Sequence, residues 1–178
     1  MFRTQAERDT DFAKKYIIKQ IKELPFEADL RGFSVSAPFS PDTGVVYTYD
    51  LKVHWPEGES FLLSPALFRS ILDNPFKTKT RKYPIEWPYA VDDIVSVNLK
   101  LPSNLSIADV PASSVIKLGE RNQYSYWTEF KKESNTLLLN TRFQVLDTYY
   151  APQGYEALRE YIDRVLLLQQ QLCLFNKK

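Results

Sequence analysis

Few side chains in this 178-residue chain could act as a nucleophile, a base or a metal ligand. His54 is the single histidine and Cys173 is the single cysteine. A Cys–His pair could transfer acyl groups, but it needs an orienting partner, and the sequence supplies no recognisable set. One His and one Cys also cannot make a zinc site. We therefore predict no catalytic residue, no metal site and no cofactor, with His54 as an ordinary surface or packing residue and Cys173 as a buried structural thiol.

Asp92 and Asp93 are adjacent carboxylates, and paired carboxylates are the groups that hydrolyse glycosides when they converge. The alternating pattern around them indicates a strand, in which successive side chains point to opposite faces. The two carboxylates would then not converge. We interpret them as charges that discourage edge-to-edge pairing of the strand.

Trp55 and Trp127 could form an exposed aromatic platform for sugar rings. The alternation along the chain places Trp127 opposite the strand face that carries Tyr124, Tyr126 and Phe130. Aromatic side chains are also preferred for packing between strands, so a structural role is favoured. A carbohydrate-binding module therefore stays the alternative function, and solvent exposure of the tryptophans would distinguish the two.

The charge balance argues against two classes of partner. Lys and Arg number 23 against 22 Asp and Glu, a net charge of +1, which offers no overall field for nucleic acid or for an anionic membrane. The most apolar run, Val165 to Leu168, is far shorter than the roughly 20 residues of a membrane span. We predict no nucleic acid partner and no membrane insertion, and the oligomeric state stays open.

No apolar signal region follows Met1, as expected of a cytoplasmic protein or of a piece of a longer precursor.

Hydrophobic periodicity predicts a mainly β (α+β) fold, with antiparallel, sandwich-like sheets and a helix packed on them near each end. The first helix is predicted over about 4–24, with Thr4 and Glu7 as a capping box, and the last helix opens at Pro152. The predicted strands cover 33–37, 47–55, 60–63 (as the hairpin partner of 47–55), 95–101, 114–118, 123–130, 136–150 and 172–175. We interpret residues 1–178 as a single β-rich domain, with a subdomain seam in the irregular, proline-containing segment 64–90.

Two segments carry a family resemblance. The first runs from Leu67 through Asn74-Pro75-Phe76-Lys77 to Arg81-Lys82-Tyr83-Pro84 and Trp87, and the second begins at Tyr155-Glu156-Ala157-Leu158. With the strand stops Leu101-Pro102 and Val110-Pro111, they resemble the C-terminal domain of unknown function that follows the transglutaminase core in bacterial multidomain transglutaminase-like proteins.

The resemblance implies a non-catalytic accessory or interaction domain, because no Cys–His–Asp core is present here. It implies neighbouring domains of a parent protein, or another protein, as partners, and a periplasmic or cell-surface location. The predicted contact residues are Asn74, Phe76, Lys77, Arg81, Tyr83 and Trp87. A simpler interpretation is that Asn74 caps a turn, Phe76 anchors the segment in the core, and Arg81 pairs with a carboxylate.

Overall fold

The computed structural model describes residues 10–22, 24, 26–36, 44–64, 66, 69 and 71–178. The chain divides into two compact units, Met1–Glu57 and Gly58–Lys178. This boundary lies ahead of segment 64–90, and the interpretation as a single domain stays a prediction. The predicted capping box at Thr4 and Glu7 lies outside the described residues, as do Leu67 and Phe68.

The first unit contains one helix and one hairpin. Helix α1 (Thr10–Lys22) buries Ile17 and Ile21 and exposes its lysines, as the periodicity predicted. Strands β1 (Ala28–Ser36) and β2 (Val46–Val53) pair antiparallel, with a bulge between Leu30 and Gly32. The side chains of β2 alternate between exposed and partly buried, because successive residues of a strand face opposite sides.

Strand β3 (Ser60–Leu63) corrects the sequence-based pairing. We predicted it as the hairpin partner of 47–55, but β2 ends at Val53 and pairs with β1, whereas β3 pairs with the C-terminal strand β11 (Cys173–Lys177). Phe61 stacks on Phe175 in this pairing. The prediction was wrong because the apolar partner of β3 lies at the far end of the sequence, where turn chemistry gives no signal.

The second unit contains three antiparallel sheets, with strand orders β3-β11-β6, β5-β9-β8-β7 and β4-β10. The remaining strands are β4 (Ile85–Glu86), β5 (Val91–Lys100), β6 (Leu105–Asp109), β7 (Ser114–Leu118), β8 (Asn122–Lys131), β9 (Thr136–Val145) and β10 (Tyr149–Tyr150). The predicted β8–β9 hairpin is confirmed. Strand β6 was not predicted.

Strand β9 ends five residues before the predicted end at Tyr150. The backbone N–H groups of Leu146 and Asp147 donate to the side-chain oxygen of Asn122, at 2.9 and 3.1 Å, instead of continuing the ladder. Asn122 is 1% exposed, so this amide fixes the chain where it leaves the sheet.

Helix α2 (Tyr155–Gln169) follows a 3₁₀ turn at Pro152–Gly154 and packs on the four-stranded sheet. The predicted stripe is buried and consists of Tyr155, Leu158, Ile162, Val165 and Gln169, and Tyr161 is buried beside it. It meets the inward side chains of β8 and β9, namely Tyr124, Tyr126, Leu139, Phe143 and Val145. Each fully buried aliphatic or aromatic side chain stabilises the fold by about 1.5–3 kcal/mol. The mainly β, sandwich-like fold with two helices is thus confirmed.

Candidate functional site

All six predicted contact residues lie in segment 74–87, which is joined to helix α2 through Asn74. The Asn74 amide nitrogen donates to the carbonyl oxygen of Arg159 at 3.0 Å and to the Asp163 carboxylate at 2.7 Å. Its side-chain oxygen accepts from the backbone N–H of Phe76 at 2.9 Å. Asn74 therefore caps a local turn, as the simpler interpretation expects, and also ties that turn to the helix.

Aromatic packing holds the middle of the segment. The Phe76 ring meets Tyr155 edge-on, with centroids 5.9 Å apart, and lies 5.8 Å from the Trp87 ring. The Tyr155 hydroxyl donates to the carbonyl oxygen of Thr78 at 2.7 Å. The backbone N–H of Trp87 donates to the Thr148 carbonyl oxygen at 2.6 Å. Because Tyr155 is 2% exposed, these contacts join the segment to the core.

The opposite side of the same segment faces solvent, and we call it the basic–tyrosine surface. Its side chains are exposed and consist of Lys77, Lys79, Arg81, Lys82, Tyr83 and Tyr89. Tyr83 is 77% exposed and Tyr89 is 67% exposed. Lys77 pairs with Asp73 at 2.6 Å. Among the described residues no carboxylate forms an ion pair with Arg81, so the pairing that the simpler interpretation expected is not seen.

The predicted contact residues therefore fall into two groups. Asn74, Phe76 and Trp87 face helix α2 and the core, where they fix the backbone. Lys77, Arg81 and Tyr83 face outward. Sequence reasoning missed Tyr89, although its type and its place after Pro88 were visible in the sequence.

The two tryptophans of the predicted platform lie in different units. Trp55 follows β2 in the first unit and is partly buried. Trp127 lies on β8 in the second unit, on the face away from helix α2, and is 40% exposed. Of the two, Trp127 is the exposed aromatic that a platform would need.

His54 lies beside a pocket in the first unit. Its Nε2 lies 3.0 Å from the Asp29 carboxylate, and this hydrogen bond is the main reason that the pKa of Asp29 lies below its ordinary value. The pocket has a volume of about 510 Å³ and is lined by Ile21, Lys22, Leu24, Phe26, Glu27, Ala28, Asp29 and His54. Among the described residues that line the pocket, none carries a hydroxyl or thiol that the histidine could activate. Asp29 could not be associated with His54 before the β1–β2 register was known.

Cys173 and the Asp92–Asp93 pair were the other candidate reactive groups of the sequence. Cys173 is fully buried, and burial raises the pKa of its thiol to about 12. Asp92 and Asp93 pair across the sheet with Gln144 and Phe143, which face opposite sides, so the two carboxylates do not converge. Within the described ranges, no cluster of three or more His, Cys, Asp or Glu side chains is placed to hold a metal ion. No described helix has the length and apolar character that crossing a membrane requires.

The chain belongs to a family of domains of unknown function that has a solved structure (DUF3858), whose model matches residues 59–175. A search of curated proteins finds no match. A solved structure similar to part of the chain is described as a "putative protease" from Parabacteroides distasonis ATCC 8503, with 14% identity and a TM-score of 0.47. That similarity covers 56% of this chain, which spans 19% of the length of the other.

Proposed function

We propose that this chain is a non-catalytic accessory domain of a transglutaminase-like multidomain protein, and that its basic–tyrosine surface contacts a neighbouring domain or another protein. The observation that carries the proposal is that one side of segment 74–87 packs on the domain while its other side is exposed to solvent. Asn74, Phe76 and Trp87 fix its backbone against helix α2, while its cationic side chains and two tyrosines remain in solvent.

Such a surface is suited to contact with a protein. Tyr and Arg are enriched at the energetically dominant positions of interfaces. A backbone held in place before binding loses less conformational entropy when the complex forms. The cationic side chains would steer an acidic surface toward it and raise the association rate.

Two observations support a non-catalytic role. The thiol of Cys173 is buried and its pKa is raised to about 12, so little reactive thiolate forms near neutral pH. His54 hydrogen-bonds to Asp29 beside a pocket whose described lining residues include no hydroxyl or thiol. We expect alanine at either residue to leave any activity of the whole protein unchanged. A periplasmic or cell-surface location follows from the family resemblance and belongs to this proposal.

The first test is the reading frame of the native gene. A transglutaminase-like domain encoded next to these residues supports the architecture, and the absence of one from the gene would overturn that part of the proposal. The second test compares chemical cross-linking of the full gene product, and of its mixtures with cell extract fractions, before and after Lys79→Glu/Arg81→Glu/Lys82→Glu.

The reversed variant should lose specific cross-links from the basic–tyrosine surface. The matched control is Lys100→Glu/Lys131→Glu/Lys132→Glu, which makes the same charge change at exposed positions of β5 and the β8–β9 hairpin. An equal loss in both variants would mean that net charge is responsible, and the proposed surface would be wrong.

A further inference from the structure

The four-stranded sheet has an outer face that the core does not use. Along β8, Tyr124 and Tyr126 point inward and are 1% exposed, while Ser125 and Trp127 point the other way. The pairing register places Ser96, Asn140 and Trp127 in one row across β5, β9 and β8. We call this side of the sheet the Trp127 face.

Hydrogen bonds between neighbouring strands fix six polar side chains of the Trp127 face, which are Asp92, Ser96, Gln123, Asn140, Arg142 and Gln144. Arg142 donates to both oxygens of Asp92, at 2.8 and 2.7 Å, and Gln144 donates to Asp92 at 3.1 Å. Gln123 donates to Gln144 at 2.8 Å. Nearer to the indole, the Ser96 hydroxyl donates to the Asn140 side-chain oxygen at 2.7 Å, which leaves the Asn140 amide nitrogen available as a donor.

From this arrangement we propose that the Trp127 face binds a neutral carbohydrate chain. The exposed indole would cover the C–H face of a sugar ring, and the Asn140 amide and Ser96 hydroxyl oxygen would hydrogen-bond its hydroxyl groups. Ligand sites characteristically combine an aromatic surface with a few polar groups held in place. The polar groups here are already fixed, so binding them loses little side-chain entropy.

The charge of the Trp127 face and its area both favour a carbohydrate chain over a charged polymer or a protein. The row that would hold the ligand, Ser96, Asn140 and Trp127, contains no charged side chain, and Asp92 and Arg142 neutralise each other as a pair, which favours an uncharged ligand. Strands of up to ten residues, with three spacings of about 4.8 Å between them, give a footprint of roughly 14 by 33 Å. That is little more than half of the ~800 Å² that each partner buries in a standard protein complex.

The same face contains two exposed aliphatic side chains that provide a control. Ile94 on β5 is 65% exposed and Val115 on β7 is 61% exposed, and they lie on the two edge strands. A protein partner, or a second copy of this chain, would bury them. A sugar stacked on Trp127 would use them far less.

The test follows the three indole N–H signals of the ¹⁵N-labelled chain by NMR, assigned with Trp127→Phe. The probes are hexasaccharides of β-1,4-glucose, β-1,4-N-acetylglucosamine and α-1,4-glucose. We expect at least one to shift the Trp127 signal saturably, with a Kd near or below about 1 mM. Because the variants lack this indole, their binding is followed by the backbone amide signals of β8 and β9: Trp127→Ala should weaken binding at least about tenfold, while Trp127→Phe keeps most of it and shows that the sheet remains folded.

The control variant Tyr149→Ala removes an exposed aromatic from β10 and should bind as the unmodified chain does. The proposal is overturned if none of the probes shifts the Trp127 signal at about 10 mM, a concentration that would half-saturate even a ~10 mM site. It is also overturned if Trp127→Ala binds normally. Concentration-dependent association that Ile94→Ser abolishes would make the Trp127 face a protein interface instead. None of these outcomes depends on the basic–tyrosine surface.

Discussion

Phe61 and Phe175 stack face to face, with ring centroids 5.2 Å apart and an angle of 5° between their planes. The contact joins β3, the first strand of the second unit, to β11, the last strand of the chain, and β11 is the central strand of its sheet. The C-terminal residues are therefore part of the core.

We predict that Phe175→Ala destabilises the second unit by about 3–5 kcal/mol, because Phe175 is fully buried and a cavity would replace its ring. Urea unfolding followed by circular dichroism measures the change. Leu62→Ala is the control, since Leu62 neighbours Phe61 but is 60% exposed, and it should shift stability by less than about 0.5 kcal/mol. Equal effects would contradict the placement of β11.

The fold was readable from the sequence wherever the partner of an element is local or the stripe is long. The β8–β9 hairpin and the spacing of Tyr155, Leu158 and Ile162 are such cases. The partner of Ser60–Leu63 was not readable, since its strand lies at the far end of the chain. Strand β6 was missed because its sequence alternates only through Leu105 and Ile107 before it ends at Asp109.

For the candidate sites, too, the sequence indicated residues but not their distant contacts. The sequence drew attention to Asn74, but its contacts with Arg159 and Asp163 depend on how helix α2 packs. Trp127 could be assigned to a strand face, yet whether that face is covered is decided by tertiary structure. The bond from His54 to Asp29 required the register of β1 and β2.

Asn74→Ala should loosen the basic–tyrosine surface without unfolding the domain. The change removes the bonds to Arg159, Asp163 and the Phe76 N–H, and losing such a cap costs about 0.5–2 kcal/mol. Hydrogen exchange of the backbone amides of residues 76–83 should accelerate, while exchange in β8 and β9 stays slow. Asn98→Ala, an exposed amide on β5, is the control. Unchanged exchange in 76–83 would show that Phe76 and Trp87 hold the segment alone.

The Asp92–Arg142 pair should make stability depend weakly on acid pH. The Arg142 hydrogen bonds hold the pKa of Asp92 below its ordinary 3.8, so the folded state favours the ionised carboxylate. This stabilisation is present above the unfolded-state pKa and is lost as the pH falls through the lower folded-state value. The pair is about two-fifths exposed, so solvent screening keeps its contribution small.

Arg142→Lys should raise the Asp92 pKa toward its ordinary value, because lysine cannot make the two-point contact. NMR titration of the Asp92 carboxyl carbon measures the shift. Arg164→Lys, at an exposed pair on helix α2, is the control and should leave the Asp92 titration unchanged. An Asp92 pKa that stays low in Arg142→Lys would assign the effect to Gln144 instead.

Cys173 should react with thiol reagents only when the chain unfolds. The side chain is fully buried, and burial raises its pKa to about 12 from an ordinary 9.0. In the unfolded chain this thiol therefore ionises near pH 9, whereas in the folded chain it stays neutral there. The thiol's contribution to stability is fully present below pH 9 and is lost as the pH rises toward 12.

We expect labelling of Cys173 by an aromatic disulfide at pH 8 to be slow in buffer and fast in urea. The native-state rate should increase in Phe175→Ala by about tenfold for each ~1.4 kcal/mol of lost stability, because Phe175 and Cys173 lie on the same strand, β11. A fast rate in the stable, unmodified chain would contradict the buried position of the thiol and, with it, the central place of β11 in its sheet.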